Sequence, residues 1–237
     1  MLSLSYLQKL KESPELQKLE WYKCKNDLSY FVFNWAITLD WWEESEDVYK
    51  NFPNKDYLKI FIEKWLENQI LFVPKSRQIM ASWISVCCFL WLAQFRKWKL
   101  VFFQSKKESD ANDLVKRAKT IYDNEPSFLK RYYENWEYID IKVNPSKKWG
   151  HIDNKLEFPE IASEIRWIPQ WGDQVRMQTL AWLLMDEAAF QPEAARAFEA
   201  ALPALGKHWK LTLLSTASAN TFFEKAVFDA LDSEDEV

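Results

Sequence analysis

The chain has 237 residues, of which 48% are hydrophobic and 28% are charged, and this composition excludes a disordered or collagen-like protein. The 31 basic and 35 acidic residues give a formal net charge of 31 − 35 = −4, so nucleic-acid binding requires a local basic patch or assembly into a larger object. The three cysteines lack the spacing of a zinc site, and no apolar run approaches the ~18 residues of a membrane span.

The N-terminal part, residues 1–55, is predicted to form a small helical lid. Apolar side chains recur at helical spacing over residues 3–23 and are interrupted at Pro14, which predicts two short amphipathic helices. The next segment is aromatic, then acidic, and ends at a turn signal around Pro53. An amphipathic helix is predicted for residues 57–69.

Strands and helices alternate from residue 70 onward. Apolar strands are predicted at 70–73, 100–105, 180–185 and 209–214, and helices at 83–97, 107–123, 192–205 and 222–231. Residues 124–163 are less regular, and residues 156–169 are typical of a hairpin. The alternation predicts an α/β core over residues 56–231, with a mostly parallel sheet and helices on both faces. Residues 232–237 are predicted to be an acidic tail or the start of a linker.

Polar groups follow three of the predicted strands, and ligands of open parallel sheets bind at the carboxyl ends of strands. A basic loop follows the first strand, Asp186 and Glu187 end another, and Ser215 and Thr216 end a third. Such groups suit a nucleoside triphosphate with a metal ion.

The loop after the first strand leads into a helix, so its backbone N–H groups and the helix N-terminus are predicted to face an anion. It is not a standard phosphate-binding loop, because Lys75, Met80 and Ala81 stand where the GxxxxGK[ST] pattern has its two glycines and its lysine. The alternative is a basic surface turn capped by Ser82. The candidate nucleotide-binding residues are Lys75, Ser76, Arg77, Gln78, Ile79, Met80, Ala81 and Ser82.

The Asp186–Glu187 pair places a metal-directed carboxylate beside a general base at a strand end. The alternative is a pair of solvated acids at the N-terminus of the following helix, favoured by the helix dipole. For Ser215 and Thr216 the alternative is an ordinary strand end with a helix-capping hydroxyl.

Together these segments resemble the ATPase domain of the large terminase subunit, the DNA-packaging motor of tailed bacteriophages. The resemblance covers residues 31–227 and is carried by PKSRQIMASW (a variant Walker A motif), GDQVRMQT, MDEAAF (Walker B) and LLSTAS. The chain departs from it at Met80 and Met177, where many members have glycine. The resemblance implies a P-loop ATPase fold of the additional-strand (ASCE) type.

The resemblance also implies roles for individual residues. Lys75 would contact the β- and γ-phosphates of ATP, and Ser82 and Asp186 would hold Mg²⁺. Glu187 would polarise the attacking water. Ser215 and Thr216 would couple hydrolysis to movement, with Thr216 sensing the γ-phosphate.

Arg176, eleven positions before Glu187, matches the arginine that reaches into a neighbouring subunit's site as a finger in this family. Arg166 competes for this role, but it alternates with Ile165 and Trp167 on a predicted strand and suits an exposed strand position.

The function that the resemblance implies is Mg·ATP hydrolysis coupled to translocation of double-stranded DNA into a procapsid. The expected partners are a homo-oligomeric ring, the portal protein and the small terminase subunit, without a membrane. The expected location is the cytoplasm of the infected bacterial host, transiently at the procapsid portal. Nuclease activity is not expected from this chain. The alternatives are another helicase-like nucleic-acid ATPase and a catalytically weak nucleotide-binding scaffold.

Two further groups of residues have open interpretations. Phe33, Trp35, Trp41 and Trp42 either stack on the purine or form an aromatic clamp between the N-terminal helices and the sheet. Basic residues after the second core strand form either a DNA-facing patch or a solvated helix face, of which the solvated face is favoured. These basic residues are Lys106, Lys107, Lys116, Arg117 and Lys119.

Overall fold

The structure is a computed structural model that describes residues 2–39, 49–77, 79–134, 137–143, 155–169, 182–202 and 209–234. Its helices are α1 (Leu4–Glu12), α2 (Pro14–Asn26), α3 (Leu28–Asn34), α4 (Asp56–Glu67), α5 (Ala81–Phe95), α6 (Glu108–Asp123), α7 (Ala194–Ala201) and α8 (Phe222–Glu234). Its strands are β1 (Ile37–Leu39), β2 (Tyr49–Asn51), β3 (Ile70–Pro74), β4 (Leu100–Gln104), β5 (Arg131–Glu134), β6 (Glu137–Asp140), β7 (Lys155–Phe158), β8 (Ser163–Trp167), β9 (Trp182–Asp186) and β10 (Lys210–Ser215).

The helix break predicted at Pro14 is confirmed, and its cause is local. Ser13 ends α1 and caps α2, because its hydroxyl accepts a hydrogen bond from the backbone N–H of Leu16 at 3.3 Å. Proline at the first position of α2 lacks only an N–H that has no helical partner there. The short helix α3 was not predicted. Its N-cap residue is Asp27, whose carboxylate accepts a hydrogen bond from the backbone N–H of Tyr30 at 2.8 Å.

The predicted mostly parallel sheet is confirmed. Six strands lie in the order β3-β10-β9-β4-β8-β7, and only β7 runs antiparallel to its neighbour. Strand β10 is last in the chain but lies between β3 and β9, which is the additional strand of the expected P-loop fold. As a result, the carboxyl ends of β3, β10 and β9 are adjacent at one edge of the sheet.

Helices cover both faces of the sheet, because alternate strand residues point to opposite sides. Val101 and Phe103 of β4 join the core cluster that contains α5 and α6, whereas Phe102 joins the cluster that contains α7 and α8. The N-terminal helices pack on the α5 side, where the rings of Trp21 and Phe31 lie 5.6 and 5.5 Å from that of Phe95. Among the described helices, none has the length and apolar character to cross a membrane.

The region predicted to be irregular contains more strand than expected. Strands β5 and β6 form an antiparallel hairpin, and β7 and β8 form the predicted hairpin across a 3-10 turn at Pro159–Ile161. Strand β6 is exposed along its whole length, so its residues do not alternate between apolar and polar. The sequence pattern therefore did not predict the β5–β6 strands. The domain boundaries at 55 and 231 stay predictions.

Candidate functional site

The candidate site lies where β3, β9 and β10 end. Ser215 pairs with Pro74 across one strand boundary, and Leu214 pairs with Asp186 across the other. The backbone N–H of Lys75 donates to the carbonyl oxygen of Ser215 at 2.9 Å, so the start of the loop is fixed to the end of β10. The parallel register therefore brings together residues that are far apart in the chain.

The ammonium group of Lys75 lies among the polar groups of this edge. Its Nζ atom is 2.8 Å from Oδ1 of Asp186, 3.5 Å from Oε1 of Glu187 and 3.0 Å from Oγ of Ser82. The Lys75 side chain is only 9% exposed. The alternative of a basic surface turn is therefore wrong for Lys75, since the strand order places two carboxylates beside it.

Ser82 and Asp186 share a hydrogen bond across the site. The Ser82 hydroxyl donates to Oδ2 of Asp186 at 2.7 Å, although the two residues are 104 positions apart. Ser82 does not cap the helix, because the N-cap position of α5 is Met80 and no side chain caps it. Asp186 is also not a solvated acid, since its side chain is 10% exposed and Oδ1 accepts from the N–H of Glu187 at 3.0 Å.

Backbone strain occurs on both sides of this cluster. Met80 has φ 59° and ψ 12°, and Glu187 has φ 55° and ψ 42°, so both adopt the left-handed conformation that costs a residue with a Cβ roughly 1–2 kcal/mol. Residues held in such conformations concentrate at functional sites. The strain at Met80 gives a physical reason why glycine suits that loop position.

A cleft of about 490 Å³ opens beside the cluster. Most of the predicted loop lines it, and so do Glu187 and Thr216. The described loop residues on its wall are Lys75, Ser76, Arg77, Ile79, Met80, Ala81 and Ser82. Gln78 lies outside the described residues.

Ser215 ties β10 to the segment after β9. Its hydroxyl accepts a hydrogen bond from the backbone N–H of Ala189 at 3.2 Å, in the 3-10 turn Ala188–Phe190. Ser215 is buried, whereas Thr216 reaches the cleft. Ser215 therefore links the end of β10 to the turn that follows Glu187.

Four residues on the cleft wall were not predicted as site residues: Trp83, Lys106, Arg117 and Phe190. For Arg117 the favoured expectation of a solvated helix face is wrong, because its side chain is half-buried and faces the cleft. The signal was present in the sequence, since Arg117 is three residues after Leu114 and four before Ile121, both on the buried face of α6. By contrast, Lys107 and Lys116 are exposed.

Two further sets of candidates can be placed in the structure: the aromatic residues Phe33 and Trp35, and Arg166. Trp35 donates to Glu20 at 3.1 Å and packs edge-on against Phe128, so it contacts α2 and the segment after α6. Neither Trp35 nor Phe33 is among the described residues of the cleft wall, and a clamp against the sheet stays a prediction. Arg166 lies on a strand as expected, but its side chain is only 31% exposed and lies 4.9 Å from the ring centre of its strand neighbour Phe102.

Several predictions fall outside the described residues: the finger Arg176, together with Met177, Trp41 and Trp42. Their roles stay predictions.

The donor set suits a hard divalent cation. A serine hydroxyl and an aspartate carboxylate, with oxygens 2.7 Å apart, are typical partial ligands of Mg²⁺, which completes its shell with phosphate and water oxygens. The Asp186 side chain is nearly buried and contacts both Lys75 and Ser82. The residues present therefore fit this ion with a nucleotide.

Comparison with known proteins supports the fold. No family model and no curated protein matches the sequence. Among solved structures, the chain is similar to the large terminase of bacteriophage HK97, with a TM-score of 0.65 and 14% identity over 89% of this chain and 42% of that one. It is also similar to the large terminase of a thermophilic bacteriophage, with a TM-score of 0.53 and 15% identity over 76% of this chain and 44% of that one.

The same thermophilic-phage terminase in complex with ADP gives a TM-score of 0.54 at 14% identity, over 76% of this chain and 43% of that one. The chain thus spans less than half the length of these terminases. The expected resemblance to terminase ATPase domains is confirmed at the level of the fold.

Proposed function

We propose that this chain is the ATPase motor domain of a large terminase and couples Mg·ATP hydrolysis to translocation of double-stranded DNA. The observation that carries the proposal is the convergence of Lys75, Ser82, Asp186 and Glu187 at the ends of β3 and β9, with β10 inserted between them. A P-loop ATPase needs a phosphate-binding cation, two metal-directed oxygens and a water-orienting carboxylate, and these four residues supply them.

The proposed role of each side chain follows from its environment. Lys75 neutralises charge on the transferring phosphoryl group, and the backbone of the loop holds the phosphates. Ser82 and Asp186 would hold Mg²⁺, which would supply charge neutralisation at the phosphate oxygens. Glu187 is 24% exposed, against 10% for Asp186, so it is the carboxylate that reaches water and orients the nucleophile.

The wider proposal concerns partners. We propose as partners a homo-oligomeric ring, double-stranded DNA, a portal protein and a small terminase subunit, in the host cytoplasm; the support for this part is the similarity of fold to two large terminases. The complex of the thermophilic-phage terminase with ADP supports nucleotide as the ligand of the cleft. Stimulation of ATP turnover by double-stranded DNA tests the coupling, and turnover without any response to DNA would contradict it.

The sharpest test separates the two acidic residues. Glu187→Gln keeps shape but loses the charge that orients water, so we expect ATP to bind normally and turnover to fall about 100-fold or more. Asp186→Asn should weaken nucleotide binding and raise the Mg²⁺ concentration required. Glu199→Gln, an exposed residue on α7, is the matched control.

Steady-state turnover and calorimetric binding measure these effects. Equal hydrolysis by wild type and Glu187→Gln would remove the Walker B assignment. Binding without any turnover in the wild-type assembly would favour the weak scaffold instead, and duplex unwinding would favour a helicase-like ATPase.

A further inference from the structure

Arg117 places a second half-buried cation at the cleft. It lies on α6, which packs against α5 beside the sheet, and its guanidinium carbon is 5.4 Å from the ring centre of Trp83. Trp83 belongs to the first turn of α5, directly after Ser82. A guanidinium that stacks on an aromatic face keeps its N–H donors in the plane of the group and free to bind an anion at its edge.

The Arg117 side chain lines the same cleft as Ser82 and Glu187. Burial lowers the pKa of Arg117, and the attraction of Asp186 acts against that shift more strongly than the attraction of Asp113 or Asp110. Within the described part of the chain, no carboxylate or carbonyl accepts a hydrogen bond from Arg117. Its five donors are therefore available to a ligand of the cleft.

The charged side chains around the cleft bear on the role of Arg117. Lys75, Asp186 and Glu187 together carry 1 − 2 = −1. The other charged side chains on the described cleft wall are all cations: Arg77, Lys106 and Arg117. Arg77 and Lys106 are exposed, whereas Arg117 is half-buried and packed on Trp83, so Arg117 is the cation that packing holds at the cleft without recruitment from another subunit.

We propose that Arg117 binds the terminal phosphate of ATP within its own subunit, and that Trp83 is the residue that positions it. This inference rests on the proposed function, since it assigns a further ligand to the same nucleotide. It makes Arg117 a discriminator between ATP and ADP, because ADP lacks the phosphate that the guanidinium contacts.

The test compares affinities for two nucleotides by calorimetry, in the presence of Mg²⁺. Arg117→Ala should lower the affinity for the non-hydrolysable β,γ-imido analogue of ATP roughly 10- to 100-fold, the usual range for a hydrogen bond to a charged group. Its affinity for ADP should stay within about threefold. Lys116→Ala, the exposed neighbour on the same helix, should change neither affinity.

Two conservative variants extend the test. Arg117→Lys keeps the charge but loses the planar fork, so we expect a smaller loss of discrimination. Trp83→Leu should lose discrimination in part, because the guanidinium loses its stacking surface. If Arg117→Ala does not fold, Arg117→Lys and Trp83→Leu carry the comparison, with thermal unfolding as the check of the fold.

The outcomes are distinct. A wild-type chain that binds neither nucleotide refutes the proposed function itself. A wild-type chain that binds both, with folded Arg117 variants that keep the same ratio of the two affinities, overturns only the inference. Equal losses for both nucleotides also overturn it, since they indicate a structural role.

Discussion

Lys75 differs from what its sequence position indicates. A basic surface turn was the alternative for its loop, but its ammonium is 2.8 Å from Asp186 and nearly buried, because the parallel strands bring Asp186 beside it from 111 positions away. Removal of a buried partner leaves the remaining charge uncompensated. The residue therefore has two roles, which one substitution will affect together.

Lys75→Ala should abolish ATP turnover and also lower the free energy of unfolding by about 3 kcal/mol in the absence of nucleotide. Lys116→Ala, which changes an exposed lysine outside the cleft wall, is the control, and Arg77→Ala tests the other basic residue of the described loop. Turnover assays and denaturant unfolding measure the two effects. If Arg77→Ala abolishes turnover and Lys75→Ala does not, Arg77 is the phosphate ligand.

Among the helices, a single buried carboxylate joins the N-terminal elements. Glu20 of α2 accepts hydrogen bonds from the hydroxyl of Tyr6 on α1 at 2.6 Å and from the indole N–H of Trp35 at 3.1 Å. The hydroxyl of Tyr30 on α3 donates to the same group, and Lys23 lies 3.3 Å away. Three helices thus depend on one side chain that the solvent does not reach.

Glu20→Ala should lower the free energy of unfolding by about 3 kcal/mol, because it leaves four donors without their shared acceptor. The exposed Glu15→Ala on the same helix should change it by less than about 0.5 kcal/mol. Denaturant unfolding of the wild type and the two variants measures both changes in the free energy of unfolding. Equal effects would show that the hydrogen bonds of Glu20 contribute no net stability.

A second buried carboxylate lies just after α6. Burial raises the pKa of Glu125 to about 8, although a hydrogen bond from the side-chain amide of Gln94 acts in the opposite direction. A carboxyl whose pKa is higher in the folded state binds more protons when folded. The contribution of Glu125 to the free energy of unfolding is therefore greatest below the ordinary pKa of 4.5 and falls as the pH rises from there toward 8.

Between these pH values the Glu125 contribution should fall by about 1.4 kcal/mol per pH unit, and Glu125→Gln should remove this dependence. Unfolding curves at pH 5, 6, 7 and 8, roughly one unit apart, give the slope. Glu108→Gln, exposed in the first turn of α6, should retain the wild-type slope. An unchanged slope in Glu125→Gln would place the ionisation elsewhere.

For the whole molecule, the proposed arginine finger makes catalysis a property of the assembly. An isolated subunit should be slow, since a finger contributes about 10³- to 10⁵-fold in rate in related enzymes. Arg176→Ala should bind ATP normally but stay at the slow rate. Activity per subunit should rise with protein concentration, or on assembly with DNA and a portal.

Subunit mixing gives the decisive measurement. Arg176→Ala mixed with Glu187→Gln should recover turnover, because some interfaces pair an intact Glu187 with an intact Arg176. Mixtures that co-assemble but stay inactive would exclude a finger in trans. Arg166 or Arg77 would then be tested as the catalytic arginine.

The amino-acid sequence by itself determined the parallel strands β3, β4, β9 and β10, the helices that follow them, and the polar groups at three strand ends, but not α3 or the β5–β6 strands. These predictions depend on local pattern: apolar periodicity for the elements, and residue type for Lys75, Asp186 and Glu187. Only the tertiary structure decided which of these groups meet, because the contact between Lys75 and Asp186 depends on the strand order and register. The same holds for Arg117, whose position at the cleft depends on how α6 packs, since a charged residue on a helix is exposed or buried according to its neighbours in space.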